Sequence, residues 1–230
     1  MNSEQHPSSA PQVKICGLTD VDQALGCVRL GASAIGCVFY PKSPRYVSER
    51  RAREVVESLP AGVKSVGVFF NETFPAIMRK VERCGLTAVQ LHGQETPELV
   101  RELKQERLLV IKALFVKQDP LITAADKYTA DAFLVEYAQA ALPGGNALAW
   151  EWGQAGVMDR KRPLILAGGL EPDNVWEAVG ACLPSAVDIS SGVESAPGVK
   201  DLNKVGAFIR TVSRCGKLYA ERGEKLSKIF

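Results

Sequence analysis

Cys16 closes the run "VKIC" and is followed by Gly17, then by Thr19 and Asp20. A thiol in such a place works as a base only when it is a thiolate. Its ordinary pKa of about 8.5 must therefore fall, or a modest thiolate fraction must suffice. A free cysteine is equally at home as a small core hydrophobe. Lys14 is set aside as its helper, because strand alternation puts the two on one face only if Lys14 is also interior. Glu136 sits within the apolar run "AFLVEY". A carboxylate there is expensive unless Arg or Lys pairs with it or it does chemistry, general acid work included. Arg45 lies in the proline-bounded loop "YPKSPRY". It reads as a solvated charge or as a clamp gripping a carboxylate through two parallel hydrogen bonds. "QLHG" supplies Gln90 and His92, the latter a satisfied core histidine or a site residue. "AGGL" carries Gly168 and Gly169, and "SSGVE" carries Ser191 and Gly192. Such stretches offer backbone N–H groups to an anion, or merely allow tight turns.

Something must hold these groups together. Short runs rich in β-branched residues predict strands at 13–16, 34–39, 65–70, 88–92, 108–115, 132–137, 163–168 and 186–190. Most are continuously apolar, which suits parallel strands covered on both faces. Helical patterns fall between them at 20–30, 48–59, 73–84, 96–106, 119–128, 150–160, 171–182 and 201–214. Thr19 or Asp20 can cap the first and Ser48 the second, and Thr96 with Pro97 opens the fourth. Gly31 and Gly85 stand where helices should stop. Eight β-then-α units in 230 residues favour a single-domain α/β fold, the closed (β/α)₈ TIM barrel. An open doubly wound sheet is the alternative, but no G-x-G-x-x-G follows the first strand. In the barrel, the C-terminal ends of the strands build the active site, and the loops after strands 7 and 8 commonly cradle a phosphate. Residues 1–12 read as a loose leader, 13–214 as the barrel, and 215–230 as a basic tail or an extension of the last helix.

Composition narrows the classes. Lys plus Arg is 28 and Asp plus Glu is 26, a balance unlike that of a nucleic-acid binder. The six cysteines form no CxxC, and the only histidines are His6 and His92, so no metal site is expected. Dispersed thiols fit a reduced, cytoplasmic protein. The polar start "MNSEQHPSSAPQ" is not a signal peptide, and no apolar run reaches the roughly 18 residues of a membrane span. Cys27 and Cys84 on helices and Cys37 in a strand read as core.

The segments "KICGLT", "GCVFYPKSPRYV", "VGVFFNE", "VQLHG", "AGGLEPDNV" and "VDISSGVESAPGVKD" occur in that order across residues 13–201. Together they resemble the signature segments of the phosphoribosylanthranilate isomerases of tryptophan biosynthesis. The resemblance implies an Amadori rearrangement of N-(5-phosphoribosyl)anthranilate to 1-(2-carboxyphenylamino)-1-deoxyribulose 5-phosphate, without metal or organic cofactor. It implies that Cys16 is the general base and that Arg45 meets the anthranilate carboxylate. It places Gly168, Gly169, Ser191 and Gly192 at the phosphate, and Gln90 and Asp188 in the pocket lining; His92 joins them as a substrate-binding candidate from its place at the end of strand 4 alone. The family typically carries an aspartate as general acid after strand 6, where this chain has Glu136. Asn146 and Ala147 stand where the family has Thr/Ser-Gly, and Glu151 replaces a later Asp. Two other readings stay open: a sugar-phosphate-binding barrel without this catalysis, and an isomerase of a related aminosugar phosphate. The expected partner is a small phosphorylated substrate, with no nucleic acid and no membrane, for a monomer or a homodimer.

Overall fold

A computed structural model of the protein describes residues 10–137, 150–159 and 161–230. Eight parallel strands close a barrel in chain order: β1 Gln12–Cys16, β2 Ala34–Val38, β3 Lys64–Phe69, β4 Ala88–Leu91, β5 Leu109–Phe115, β6 Ala132–Glu136, β7 Leu164–Leu166 and β8 Ala186–Ile189. β1 pairs with β8 in the register Lys14 to Asp188, which closes the sheet. Nearly every strand residue is buried, because one face packs inside the barrel and the other against the helices.

Outside lie α1 Val21–Arg29, α2 Glu49–Ser58, α3 Phe74–Cys84, α4 Pro97–Gln105, α5 Val175–Cys182 and α6 Leu202–Arg214. Their starts follow the expected cap chemistry. The Asp20 carboxylate accepts from the backbone of Asp22 and Gln23, Ser48 from Arg51, and Thr96 from Leu99. Gly85 ends α3 in the left-handed conformation.

Two of the eight expected helices are not α-helical. The stretches predicted at 119–128 and 150–160 form 3₁₀ turns, Ile122–Lys127 and Trp152–Val157. Gly153 and Gly156 weaken the second, since each glycine costs about 1 kcal/mol in a helix interior. Pro120 and the β-branched pair Ile122–Thr123 work against the first.

The lower interior layer, at the end opposite the site, is unusually small. β2, β4, β6 and β8 each begin with an alanine: Ala34, Ala88, Ala132 and Ala186. All four belong to one buried cluster with Val66, Ile111 and Phe230. After α6 the chain forms α7, Gly216–Arg222, and then runs to Phe230, which is buried in that layer. The Gln12 amide fastens it: Nε2 donates to the Phe230 carbonyl at 2.8 Å, and Oε1 accepts from Ile229 N at 2.7 Å and Phe230 N at 3.0 Å. An aromatic ring fills the space that four alanines leave open.

Candidate active site

At the other end of the barrel, the strand ends and the loops after them line one cavity. All ten site residues expected from the sequence line it: Cys16, Arg45, Gln90, His92, Glu136, Gly168, Gly169, Asp188, Ser191 and Gly192. Residues 138–149, with the substitutions at Asn146 and Ala147, lie outside the described residues.

Cys16 ends β1 and is buried. Lys14, on the same face, is wholly interior and donates from Nζ to Asp188 Oδ1 at 2.9 Å. Lys14 thus meets the condition under which it can help the thiol, and the expectation that set it aside is corrected. Its partner is 174 residues away on the neighbouring strand, which no local pattern could reveal. Gly36 on β2 makes room for both groups. A Cβ there would stand 2.9 Å from Cys16 Sγ and 3.1 Å from Lys14 Nζ. Burial pushes the thiol above its ordinary range, while Lys14 and Lys200 pull it back and Asp188 opposes them. Burial also lowers Lys14, but Asp188 and Cys16 outweigh it, so Lys14 stays an ammonium. Burial raises Asp188 against the pull of Lys14.

A second chain of polar groups crosses from β4 to β6. Gln90 Nε2 lies 2.9 Å from His92 Nδ1, and His92 Nε2 lies 3.3 Å from Glu136 Oε1. With the amide donating to Nδ1, the ring proton sits on Nε2 and faces the carboxylate. The partner of Glu136 is thus a histidine rather than the Arg or Lys weighed from sequence. Gln90 Oε1 is buried without a hydrogen-bond partner among the described residues. The loop carrying His92 is fixed from beneath. Lys112, fully buried on β5, donates to Gly93 O at 2.6 Å and to Glu95 Oε2 at 2.8 Å.

The loops after β7 and β8 meet tightly. Gly168 and Gly169 both have positive φ, 85° and 65°. A Cβ on Gly192 would overlap the Leu170 carbonyl oxygen. Trp152 Nε1 donates to Gly168 O at 3.3 Å and Asn174 Nδ2 to Gly169 O at 2.9 Å.

Arg45 reaches the cavity rim from the loop after β2. Its Nε and Nη2 donate to Glu194 Oε1 and Oε2 at 2.8 and 2.7 Å. Lys200 Nζ donates to Glu194 Oε1 at 2.7 Å. Burial alone would raise the Glu194 carboxyl, but Arg45 and Lys200 hold it below the usual range. Sequence reasoning passed over Glu194 and Lys200, although both stand in the quoted run "VESAPGVKD". The apolar wall includes Tyr40 and Phe70, whose ring centroids are 5.0 Å apart.

A base candidate, an acid candidate, an arginine and two glycine-bearing loops thus share one barrel mouth. The model of the family N-(5'phosphoribosyl)anthranilate (PRA) isomerase matches residues 13–211. The chain belongs to this family. It is 50% identical over 211 residues to the N-(5'-phosphoribosyl)anthranilate isomerase of Desulfatibacillum aliphaticivorans, covering 92% of this chain and 97% of that one. The crystal structure of the phosphoribosyl anthranilate isomerase of Thermotoga maritima matches with a TM-score of 0.82 at 40% identity, covering 89% of this chain and 99% of that one. Another phosphoribosyl anthranilate isomerase structure, at 41% identity and a TM-score of 0.79, covers 89% of this chain and 99% of that one. It is a complex with reduced 1-(o-carboxyphenylamino)-1-deoxyribulose 5-phosphate. The chain is an enzyme of the isomerase class, in a family that serves tryptophan biosynthesis.

Proposed function

We propose that this barrel converts N-(5'-phosphoribosyl)anthranilate to 1-(o-carboxyphenylamino)-1-deoxyribulose 5-phosphate, with Glu136 as general acid and Cys16 as general base. The Glu136 carboxyl protonates the furanose ring oxygen. The bond from that oxygen to C1 breaks as the nitrogen lone pair forms the C=N bond of a Schiff base. The Cys16 thiolate then removes the C2 proton, and those electrons neutralise the iminium to give an enolamine. Protonation at C1 and loss of the C2 hydroxyl proton complete the ketone. The glycine loops hold the phosphate by backbone N–H groups, and Arg45 holds the anthranilate carboxylate, with Tyr40 and Phe70 beside the aromatic ring. The orphaned Gln90 Oε1 accepts from a substrate hydroxyl, which removes the penalty of an unpaired buried acceptor.

The observation that carries this reading is that interior Lys14, ion-paired with Asp188, stands beside Cys16, which lines the same cavity as Glu136. The Lys14 ammonium draws the buried thiol part of the way back toward its thiolate, which mere packing would not need. The substrate is a small phosphorylated molecule, and the six buried free cysteines fit a cytoplasmic setting. A Thermotoga maritima relative is described as dimeric, so a homodimer and a monomer are the assemblies to separate by sedimentation. The decisive experiment follows substrate fluorescence, with the substrate made in situ from anthranilate and phosphoribosyl pyrophosphate. Decay well above the blank for the wild type, and none for Cys16→Ala in a folded protein, is expected. Full activity of Cys16→Ala removes the thiol from the mechanism.

A further inference from the structure

The loop after β8 ends in a small antiparallel hairpin, β9 Glu194–Ala196 and β10 Val199–Lys200, in which Glu194 and Lys200 stand opposite each other. Both side chains are buried; Glu194 meets Arg45, and Lys200 meets Glu194 and Ser190 just after β8. The hairpin is anchored on α1 by Lys200 N donating to Gln23 Oε1 at 2.7 Å, and on α6 by Lys204 Nζ donating to Glu194 O at 3.1 Å. Its turn residue Gly198 has φ +79°, and a Cβ there would stand 3.3 Å from Pro44 O, beside Arg45. The Arg45 stem lies over Gly17, where a Cβ would come within 2.6 Å of Arg45 Cδ. The carboxylate that the guanidinium meets is thus anchored on both sides, and the Arg45 stem is packed against Gly17.

We infer that Glu194, held by Lys200, is a positioning residue that sets the orientation of Arg45 for the substrate carboxylate. Both bonds to Glu194 come from the Nε/Nη2 edge of the fork. The planar guanidinium therefore turns its Nη1/Nη2 edge away from Glu194, free to receive a second carboxylate in parallel. Glu194 orients Arg45 without neutralising the site, because Lys200 supplies a second positive charge. The same ammonium donates to Ser190 O at 3.1 Å and Ser190 Oγ at 3.3 Å, and Ser190 Oγ donates to Cys16 O at 3.0 Å. One rigid chain of contacts joins the carboxylate clamp to the strand end that carries the thiol. The inference rests on Arg45 as the residue that meets the substrate carboxylate.

The test uses two probes, the reduced Amadori product made with anthranilate and its counterpart made with aniline, which lacks only the carboxyl group. Wild-type protein should bind the first about tenfold to a hundredfold more tightly. Glu194→Gln should lose most of that preference while binding the aniline probe as wild type does. Arg45→Lys should also lose it, and adding Glu194→Gln to Arg45→Lys should change nothing further. A preference intact in Glu194→Gln, or equal weakening of both probes, overturns the inference. A preference intact in Arg45→Lys overturns instead the assignment of Arg45 itself. Should Glu194→Gln fail to fold by circular dichroism, the double variant Glu194→Gln/Lys200→Gln, which removes both charges together, is read against the same two outcomes.

Discussion

Replacing Lys14 by methionine separates two effects that the structure ties together. Lys14 is wholly buried, and its ammonium is 2.9 Å from Asp188 Oδ1. Methionine keeps most of the stem's bulk but leaves Asp188 without its cation. Removing one partner of a buried pair typically costs about 3–5 kcal/mol. At roughly 2–4 °C per kcal/mol for a chain of this size, the melting temperature should fall by about 6–20 °C. The second effect is on Cys16, for which Lys14 is the strongest influence holding the thiol down. Without it the thiol rises further above its ordinary range. Each unit of rise removes about tenfold of the thiolate at neutral pH. The sign follows directly: kcat/KM falls at neutral pH and recovers as the solution becomes basic, because the base must first lose its proton. The assay is substrate fluorescence decay from neutral to basic pH, alongside a thermal melt. The double variant Lys14→Met/Asp188→Asn removes both charges and should regain most of the stability but not the neutral-pH rate. A Lys14→Met protein whose pH–rate profile matches wild type would refute the argument, whatever its melting temperature.

The other expectations are simpler to state. Glu136→Gln should lower kcat at least about a hundredfold while the reduced product analogue still binds, and unchanged turnover would take Glu136 out of the mechanism. Gly192→Ala forces the loops after β7 and β8 apart at Leu170 O, so KM should rise about tenfold or more with phosphorylated substrate; an unchanged KM argues against a phosphate cradle there. Wild-type kcat/KM should climb with pH beyond neutrality, since burial holds the Cys16 thiol high, and a profile flat through the basic range contradicts a titrating thiol base. Phe230→Ala empties the lower layer and should cost about 3–5 kcal/mol in a thermal melt, with activity at low temperature retained.

Much of this molecule is visible in its sequence, for identifiable reasons. Strands such as "AIGCV" read clearly because both faces are covered, and caps such as Asp20 and Ser48 are local. Cys16, Glu136 and the glycine pairs, which line the cavity, stand out in the sequence because strand ends and turns mark the barrel mouth. The unforeseen pairings share one cause. Lys14 with Asp188, and Arg45 with Glu194, lie 174 and 149 residues apart, so their partnership exists only once the barrel closes. The two 3₁₀ turns were missed because apolar spacing reports a helical face but not the glycines and β-branched residues that tighten it.

The bond between Gln12 and Phe230 has a topological consequence. The backbone enters β1 at Gln12, circles the barrel and comes back to within hydrogen-bond reach, closing a loop whose ends are 218 residues apart. A short covalent bridge between these points would therefore ask for no rearrangement of the fold. By chain-entropy arithmetic such a bridge would restrict the unfolded ensemble by about 5 kcal/mol. It would also free the chain to begin elsewhere, for example in a loop on the lower rim, while the thiol, carboxyl and guanidinium at the opposite rim kept their places. The order in which the strands leave the ribosome would then become a design variable, independent of the chemistry they support.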